Sequence, residues 1–476
     1  MNIIGRIEEQ RLLQDVSNAP ESRLIALYGR RRVGKTFLVR QYFSAEIKFE
    51  IAGLHDGDLR DQLKHVYDTV SSYGIKKADR KYPDQWMDAF GLIKSYVNTL
   101  SGKGKKVLFF DELPWFDTPR SGFLMAFEDF WNSYCSKRSD LIVIICGSAA
   151  SWMLKKIIHN RGGLYNRLAE RIRLRPFTLA ETEQFLRSRF IKMSRADILQ
   201  LYMVTGGIPY YLDRIRKGES VVQFIDRACF SETGFLRTEY RDLMQSLFDN
   251  GQYHESIVRV LAQKNIGYSR NELAKLTRLH SGGSFTTLLD ELIESGFITK
   301  YHPFGTAINQ AYYKLTDHYI FFYHRFILAT ANKSKDHWKL QYSTPRGIIW
   351  AGISFELVCF NHIYQIAKAL DIRSISYRYS PWRYTDSNKG AQIDLVIERA
   401  DAILNLCEIK FSKGIFTITK SYAESLRNKI QALASHKSAK KKTVLLTFIA
   451  SHGISKNEYS DELVDNVVGM DDLFMG

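Results

Sequence analysis

No stretch of the 476-residue chain approaches the roughly 20 uncharged apolar residues that a membrane span needs, so no spanning helix is expected. The opening residues, Met1 to Arg6, lack the apolar core and cleavage site of a secretory leader, and a cytoplasmic location is expected. Cysteine is sparse. Cys135, Cys146, Cys229, Cys359 and Cys407 lie scattered in apolar runs with no CxxC pair, which argues against disulfides or zinc and fits reduced core thiols. Acid is also in short supply: 51 Asp and Glu against 67 Lys and Arg leave a net charge of +16. Such a surface attracts acidic partners, and a long polyanion, DNA, is the obvious one, although a basic but otherwise ordinary enzyme has the same balance. The chain is too long for one core, and two to four domains are expected.

What is present centres on Leu24 to Arg40. An apolar run of strand length, Leu24 to Tyr28, enters a glycine-bounded loop, Gly29, Arg30, Arg31, Arg32, Val33, Gly34, Lys35, Thr36, and a helical pattern follows. The spacing is G-x-x-x-x-G-K-T. Gly29 and Gly34 let successive N–H groups turn inward on phosphate oxygens, and the helix dipole adds to the same field. Lys35 is placed to reach the β- and γ-phosphates and Thr36 to ligate Mg²⁺.

A second buried-strand run, Lys105 to Phe110, ends in Asp111 and Glu112. Carboxylates at that end sit where open α/β sheets bind ligands. Asp111 is expected in the Mg²⁺ shell and Glu112 as the general base that polarises water. A third run, Leu141 to Cys146, leads to Ser148, whose hydroxyl is expected beside the γ-phosphate. Arginines at 161, 167 and 171 precede a short strand and Pro176-Phe177. They read either as a basic helix face or as a finger reaching a neighbouring subunit's phosphate, with Arg167 preferred to Arg161. Helices over 178–245, bent at Thr205 to Tyr211, suit a lid.

These blocks, from Gly5-Arg6 through Thr205 to Pro209, resemble prokaryotic P-loop ATPases related to the AAA+ and STAND groups. The resemblance implies ATP with Mg²⁺ as cofactors, since no Asn/Thr-Lys-x-Asp guanine motif appears. It also implies ATP hydrolysis and nucleotide-controlled self-association.

From Ile257, helical segments at 257–264, 270–277 and 284–295 precede two strand-like runs around Pro303 to Gly305. That order reads as a winged helix. Its last helix carries Thr286, Thr287, Asp290, Glu291 and Glu294, which opposes groove reading; the segment before it holds Lys275 and Arg278.

The tail reads as a helix (346–370, with Glu356), strands at 374–380, 391–398 and 402–411, a helix (419–436) and a strand (443–450). Period 2 puts Leu404, Leu406, Glu408 and Lys410 on one face. An even hairpin register brings Asp394 onto it, and a one-residue slip removes it. Two carboxylates there make a hard site for Mg²⁺ or Mn²⁺, with a lysine to orient water. Glu356, Asp394 and Glu408-x-Lys410 resemble the PD-(D/E)xK nuclease superfamily, which implies Glu356, Asp394 and Glu408 as metal ligands and Asp394, Glu408 and Lys410 as catalytic residues. Ile393 stands where that family has proline.

The expected architecture is α/β: a P-loop ATPase core with a parallel sheet (1–177), a helical lid (178–245), a winged-helix domain (246–330) and a restriction-endonuclease-like domain (331–476). The expected function is an ATPase that gates DNA binding or metal-dependent cleavage, the alternative being a non-cleaving switch that binds DNA or protein and whose nuclease fold is inactive.

Overall fold

The computed structural model describes residues 2–74, 81–148, 152–158, 164, 166–248, 251–306, 310–329, 337–384 and 391–476. Contacts divide the chain into two compact units, residues 1–176 with 246–249, and 177–245 with 250–476. The stretch expected as a lid, 178–245, is grouped with the residues that follow it.

The first unit is a parallel sheet with helices. Its strands are β1 (Arg23–Tyr28), β2 (Ile47–Ala52), β3 (Lys106–Asp111), β4 (Leu141–Gly147) and β5 (Leu168–Arg173), in the order β2-β3-β4-β1-β5. All pairs are parallel. β3 and β4 are buried throughout, which is why they read as unbroken apolar runs. The helices are α1 (Ile7–Asn18), α2 (Lys35–Tyr42), α3 (Leu59–Ser72), α4 (Trp86–Thr99) and α5 (Phe123–Asp129). Because β3, β4 and β1 are neighbours, the segments that leave their carboxyl ends converge on one edge of the sheet.

Aromatic side chains fill one face of this sheet. Phe90 of α4 stacks on Phe130 at 4.9 Å between centroids and meets Phe127 and Trp86, both at 5.9 Å.

The second unit begins with α6 (Leu179–Ser188), α7 (Arg195–Thr205) and α8 (Phe235–Leu247). Then come α9 (Gly251–Leu261), β6 (Tyr268–Ser269), α10 (Arg270–Thr277), α11 (Gly283–Glu294), β7 (Ile298–Tyr301) and β8 (Tyr312–Leu315). These three strands form a small sheet in the order β6-β8-β7, with both pairs antiparallel.

The tail follows with α12 (Pro345–Asn361), α13 (Ile363–Ala369), β9 (Tyr377–Tyr384), β10 (Ala391–Arg399), β11 (Ile403–Lys410), α14 (Lys420–Ala434), β12 (Thr443–Ala450) and β13 (Asn466–Gly469). Its sheet runs β13-β12-β11-β10-β9, antiparallel from β9 to β11 and parallel from β11 to β13.

Two features differ from the sequence reading. The helix expected over 346–370 is α12 and α13, bent by 75° at His362. That imidazole accepts the Leu179 N–H at Nε2 (3.0 Å), so Nδ1 carries the hydrogen toward the Val358 carbonyl at 2.9 Å. β13 is the other: a four-residue edge strand has too few positions to show an alternation. Among the described residues no single helix is long and apolar enough to cross a membrane.

Phe90→Ala should cost about 3–5 kcal/mol of stability, because a close-packed aromatic core collapses poorly around the loss. Denaturant unfolding of the full chain measures this, and a loss below about 1 kcal/mol would contradict the packing described.

Candidate functional site

The loop between β1 and α2 has the backbone its glycines permit. Gly29 lies at φ 139°, and a Cβ there would come 2.4 Å from the Leu174 carbonyl oxygen. Leu174 is fixed at that spot by its N–H bond to the Tyr28 carbonyl (2.8 Å). Gly34, at φ 93°, caps α2 and has no heavy atom within 4 Å of where a Cβ would stand. Lys35 is only 6% exposed, and its ammonium donates to the carbonyls of Gly29 and Arg30, each at 3.1 Å. Among the described residues these two neutral carbonyls are its partners and no carboxylate pairs with it.

Thr36 donates its hydroxyl to Asp111 Oδ2 at 2.6 Å, the length of a charge-assisted bond. The other oxygen of Asp111 accepts the Glu112 N–H at 3.0 Å. Glu112 sits in the left-handed region, φ 44°, where the chain leaves β3 for a short 3₁₀ turn. Its Oε2 accepts both the N–H (3.0 Å) and the hydroxyl (2.7 Å) of Ser148. The Ser148 hydroxyl, expected to face phosphate, therefore holds the expected base. Cys146 is buried against this cluster, and burial pushes its thiol well up, with Asp111 adding to the effect.

Arg6 entered the sequence reading only as part of the Gly5-Arg6 block, with no role for its side chain. It is buried, and its guanidinium donates to the carbonyls of Val33 (3.2 Å) and Arg175 (2.6 Å), joining the phosphate loop to the segment after β5. Arg167 is exposed in the turn entering β5. Arg161 lies outside the described residues.

The tail brings a second set together. β10 pairs β11 with Leu395 opposite Cys407 and Val396 opposite Leu406; continued one residue, this register sets Asp394 opposite Glu408. Asp394 Oδ2 accepts the Ile409 N–H at 3.2 Å. Glu408 is 1% exposed and accepts from Lys410 (3.0 Å), Lys429 (2.7 Å) and the Tyr422 hydroxyl. Glu356 of α12 accepts from Asn265 Nδ2 at 2.5 Å. Lys314 of β8 is buried nearby, its ammonium 5.0 Å from the Phe360 ring centroid.

The charges follow from burial first. Burial pushes Glu356 up to about 8, with Asp394 adding and Lys314 opposing. Burial pushes Asp394 up to about 6, with Glu408 adding. Burial also pushes Glu408 up, but Lys429, Lys410 and Tyr422 together outweigh it and hold it below its usual range. Lys314 is held below the usual lysine range by burial against the pull of Glu356 and Asp394. Lys314, Asn265, Tyr422 and Lys429 were not read from the sequence, because they come from elements up to 143 residues from Glu408 and share no spacing with it.

The donor sets differ in fit to a metal. Thr36 and Asp111 offer hard oxygens beside the loop, which suits a Mg²⁺ that keeps waters and takes its other ligands from phosphate. In the tail the carboxylate oxygens already accept from lysine, tyrosine, asparagine and backbone. Among the described residues no three His, Cys, Asp or Glu side chains form a metal-holding group, so Glu356, Asp394 and Glu408 do not meet as three ligands.

Residues 5–215 match a family described as an ATPase domain predominantly from Archaea. An uncharacterized protein of Methanocaldococcus jannaschii is 24% identical over 404 residues, covering 83% of this chain and 83% of that one. The solved Walker-type ATPase paby2304 of Pyrococcus abyssi is similar at a TM-score of 0.51 and 21% identity, over 68% of this chain and 96% of that one. The Aeropyrum pernix ORC2 protein, in ADPNP and ADP complexes, gives a TM-score of 0.40 at 15% identity, over 76% and 96%. The family match and the Pyrococcus likeness give this chain a P-loop ATPase-like domain in an α/β fold with a parallel sheet.

A carboxyl whose pKa is raised on folding contributes stability that is full below its unfolded value and lost as pH rises through the folded one. For Glu356 the window runs from 4.5 to about 8. Glu356→Gln should therefore gain stability over wild type as pH rises from about 5 to 8, read as the difference in Tm in EDTA; a gain that shrinks across that interval would contradict the assignment.

Proposed function

We propose that the chain is an ATP-hydrolysing switch whose nucleotide state controls DNA binding by its second unit. The observation that carries the ATPase half is the 2.6 Å bond from Thr36 to Asp111, which joins the phosphate loop to the acidic end of β3. The backbone N–H groups of Gly29, Arg30, Arg31, Arg32, Val33 and Gly34 cradle the phosphates, and Lys35 exchanges two carbonyls for the β- and γ-oxygens. Thr36 and Asp111 hold Mg²⁺, which when bound neutralises phosphate charge and polarises the transferred group. Glu112 leaves Ser148 to orient water, and Arg167 of a neighbouring copy supports the charge that develops.

For the second unit, we read 251–315 as a winged helix and the tail as a nuclease-like fold that binds without cutting. The clamp of Lys429, Lys410 and Tyr422 on Glu408 favours this, because a carboxylate so occupied has little left to offer a metal. The net charge of +16 supports a polyanionic partner. Metal-dependent cleavage at Asp394, Glu408 and Lys410, with Glu356 as a further ligand, is the second reading, favoured by the register that sets Asp394 across from Glu408.

Lys35→Ala should abolish ATP binding. Glu112→Gln should keep binding while kcat falls about 10²–10⁴-fold, as measured by phosphate release; full turnover in Glu112→Gln would remove it as the base. For the tail, plasmid and short duplexes are incubated with ATP and Mg²⁺ or Mn²⁺. Salt-sensitive binding without cleavage is expected, whereas cleavage that disappears in Lys410→Ala would establish the second reading.

A further inference from the structure

Within the second unit, a cleft of about 560 Å³ opens between two sheet edges. On one side is β7 with the residues that follow it, Thr299 to Thr306; on the other are Tyr377 to Ser380 of β9, backed by Phe360 of α12 and by Val396 and Glu398 of β10. β7 and β9 are each the outer strand of their sheet, so among the described residues neither has a strand partner on its outer side. The residue linking the two walls is Phe304, whose N–H donates to the Ser380 hydroxyl at 3.1 Å.

The cleft has a particular chemistry. Its walls carry aromatic rings: Phe360 and Tyr379 meet edge to face at 5.1 Å, and Tyr377 lies two residues along the same face of β9 and is half-exposed. Cations stand at its rim. Lys300 and Arg378 are exposed, neither makes an ion pair among the described residues, and the exposed His302 imidazole stands beside them as a hydrogen-bonding group. The one acid in the lining, Glu398, is already paired with Lys442, whose ammonium lies 5.5 Å from the Phe304 ring centroid. Aromatic faces beside unpaired cations are what a single nucleic-acid strand requires: the rings stack on bases of any identity, and the cations follow the phosphates. An added peptide strand is the competing occupant of an open edge. Lys300 and Arg378 oppose it, since charged residues on outer strands are a device against strand addition. The volume lies within the roughly 300–1,000 Å³ of small-molecule sites, enough for a nucleotide unit.

We propose that this cleft is the track of one strand of DNA, its bases against Tyr377 and Tyr379, which Phe360 backs from beneath, and its phosphates along Lys300, His302 and Arg378. The assignment rests on the reading that the second unit binds DNA, and it narrows that reading to single-stranded segments. None of the lining residues belongs to the Asp394, Glu408 and Lys410 set, so strand capture is separable from whatever that set does.

The test uses the full chain and a fluorescent 15-residue oligothymidylate, with the matching duplex as reference and an acidic 15-residue peptide as competitor. Tyr377→Ala should weaken strand binding about tenfold while duplex binding stays within about twofold, and Tyr377→Phe, which keeps the ring, should bind as wild type. Arg378→Gln should lower the slope of log affinity against log salt by about 0.7. Circular dichroism melts of the variants verify folding. Unchanged strand binding in both Tyr377→Ala and Arg378→Gln would overturn the cleft assignment and leave the DNA reading standing, as would displacement of the strand by the peptide at equal concentration. Failure of wild type to bind either strand or duplex would overturn the DNA reading itself. Strand binding lost on Tyr377→Ala with no cleavage under any metal would uphold the cleft and remove the nuclease reading.

Discussion

One hydrogen bond, from Thr36 to Asp111, ties the first turn of α2 to the end of β3. It spans the intervening strand β4, so it forms only because the sheet order is β3-β4-β1. Around it the loop is held from several sides. Leu174 closes against Gly29, Arg6 donates to Val33, and Lys35 folds back on the carbonyls of Gly29 and Arg30. Isolating an ammonium from water costs several kcal/mol unless an opposite charge meets it. Among the described residues no carboxylate pairs with the Lys35 ammonium. In the proposed function phosphate supplies that charge, with the carboxylates at 111 and 112 serving the metal and the water.

The second unit resolves its charges internally. Lysines from three elements, Lys314 on β8, Lys410 on β11 and Lys429 on α14, surround the carboxylates of Glu356, Asp394 and Glu408. Buried carboxylates are tolerated only when so compensated. The same compensation occupies those oxygens, whereas Lys300 and Arg378 at the β7–β9 cleft make no ion pair among the described residues. Charge in this unit is thus neutralised around Glu408, while Lys300 and Arg378 at the cleft are exposed.

Much of the first unit was legible because its signals are local. The loop spacing, the apolar runs of β1, β3 and β4 and the acids after β3 each occupy only a few consecutive residues. The pairing of Ser148 with Glu112 was not legible, since it depends on which strands adjoin. The role of Arg6 was not legible either, because the carbonyls it holds lie 27 and 169 residues away. In the tail, period 2 grouped Glu408 with Lys410, but the register that sets Asp394 opposite Glu408 left the sequence reading with two alternatives. Asn265 and Lys314 reach Glu356 from the three-stranded module, a tertiary contact with no sequence spacing to betray it. His362 broke a helix whose composition favoured continuity, because its ring serves a backbone N–H from α6.

The account's central claim is that the crook between Gly29 and Thr36 binds a triphosphate through a metal that Asp111 helps to hold. Titration calorimetry with ATP, with and without Mg²⁺, on wild type and Asp111→Asn tests it most directly. The account predicts that Mg²⁺ tightens ATP binding at least tenfold in wild type and has little effect in Asp111→Asn. Equal affinity with and without Mg²⁺ in wild type, or no affinity at all, would contradict it.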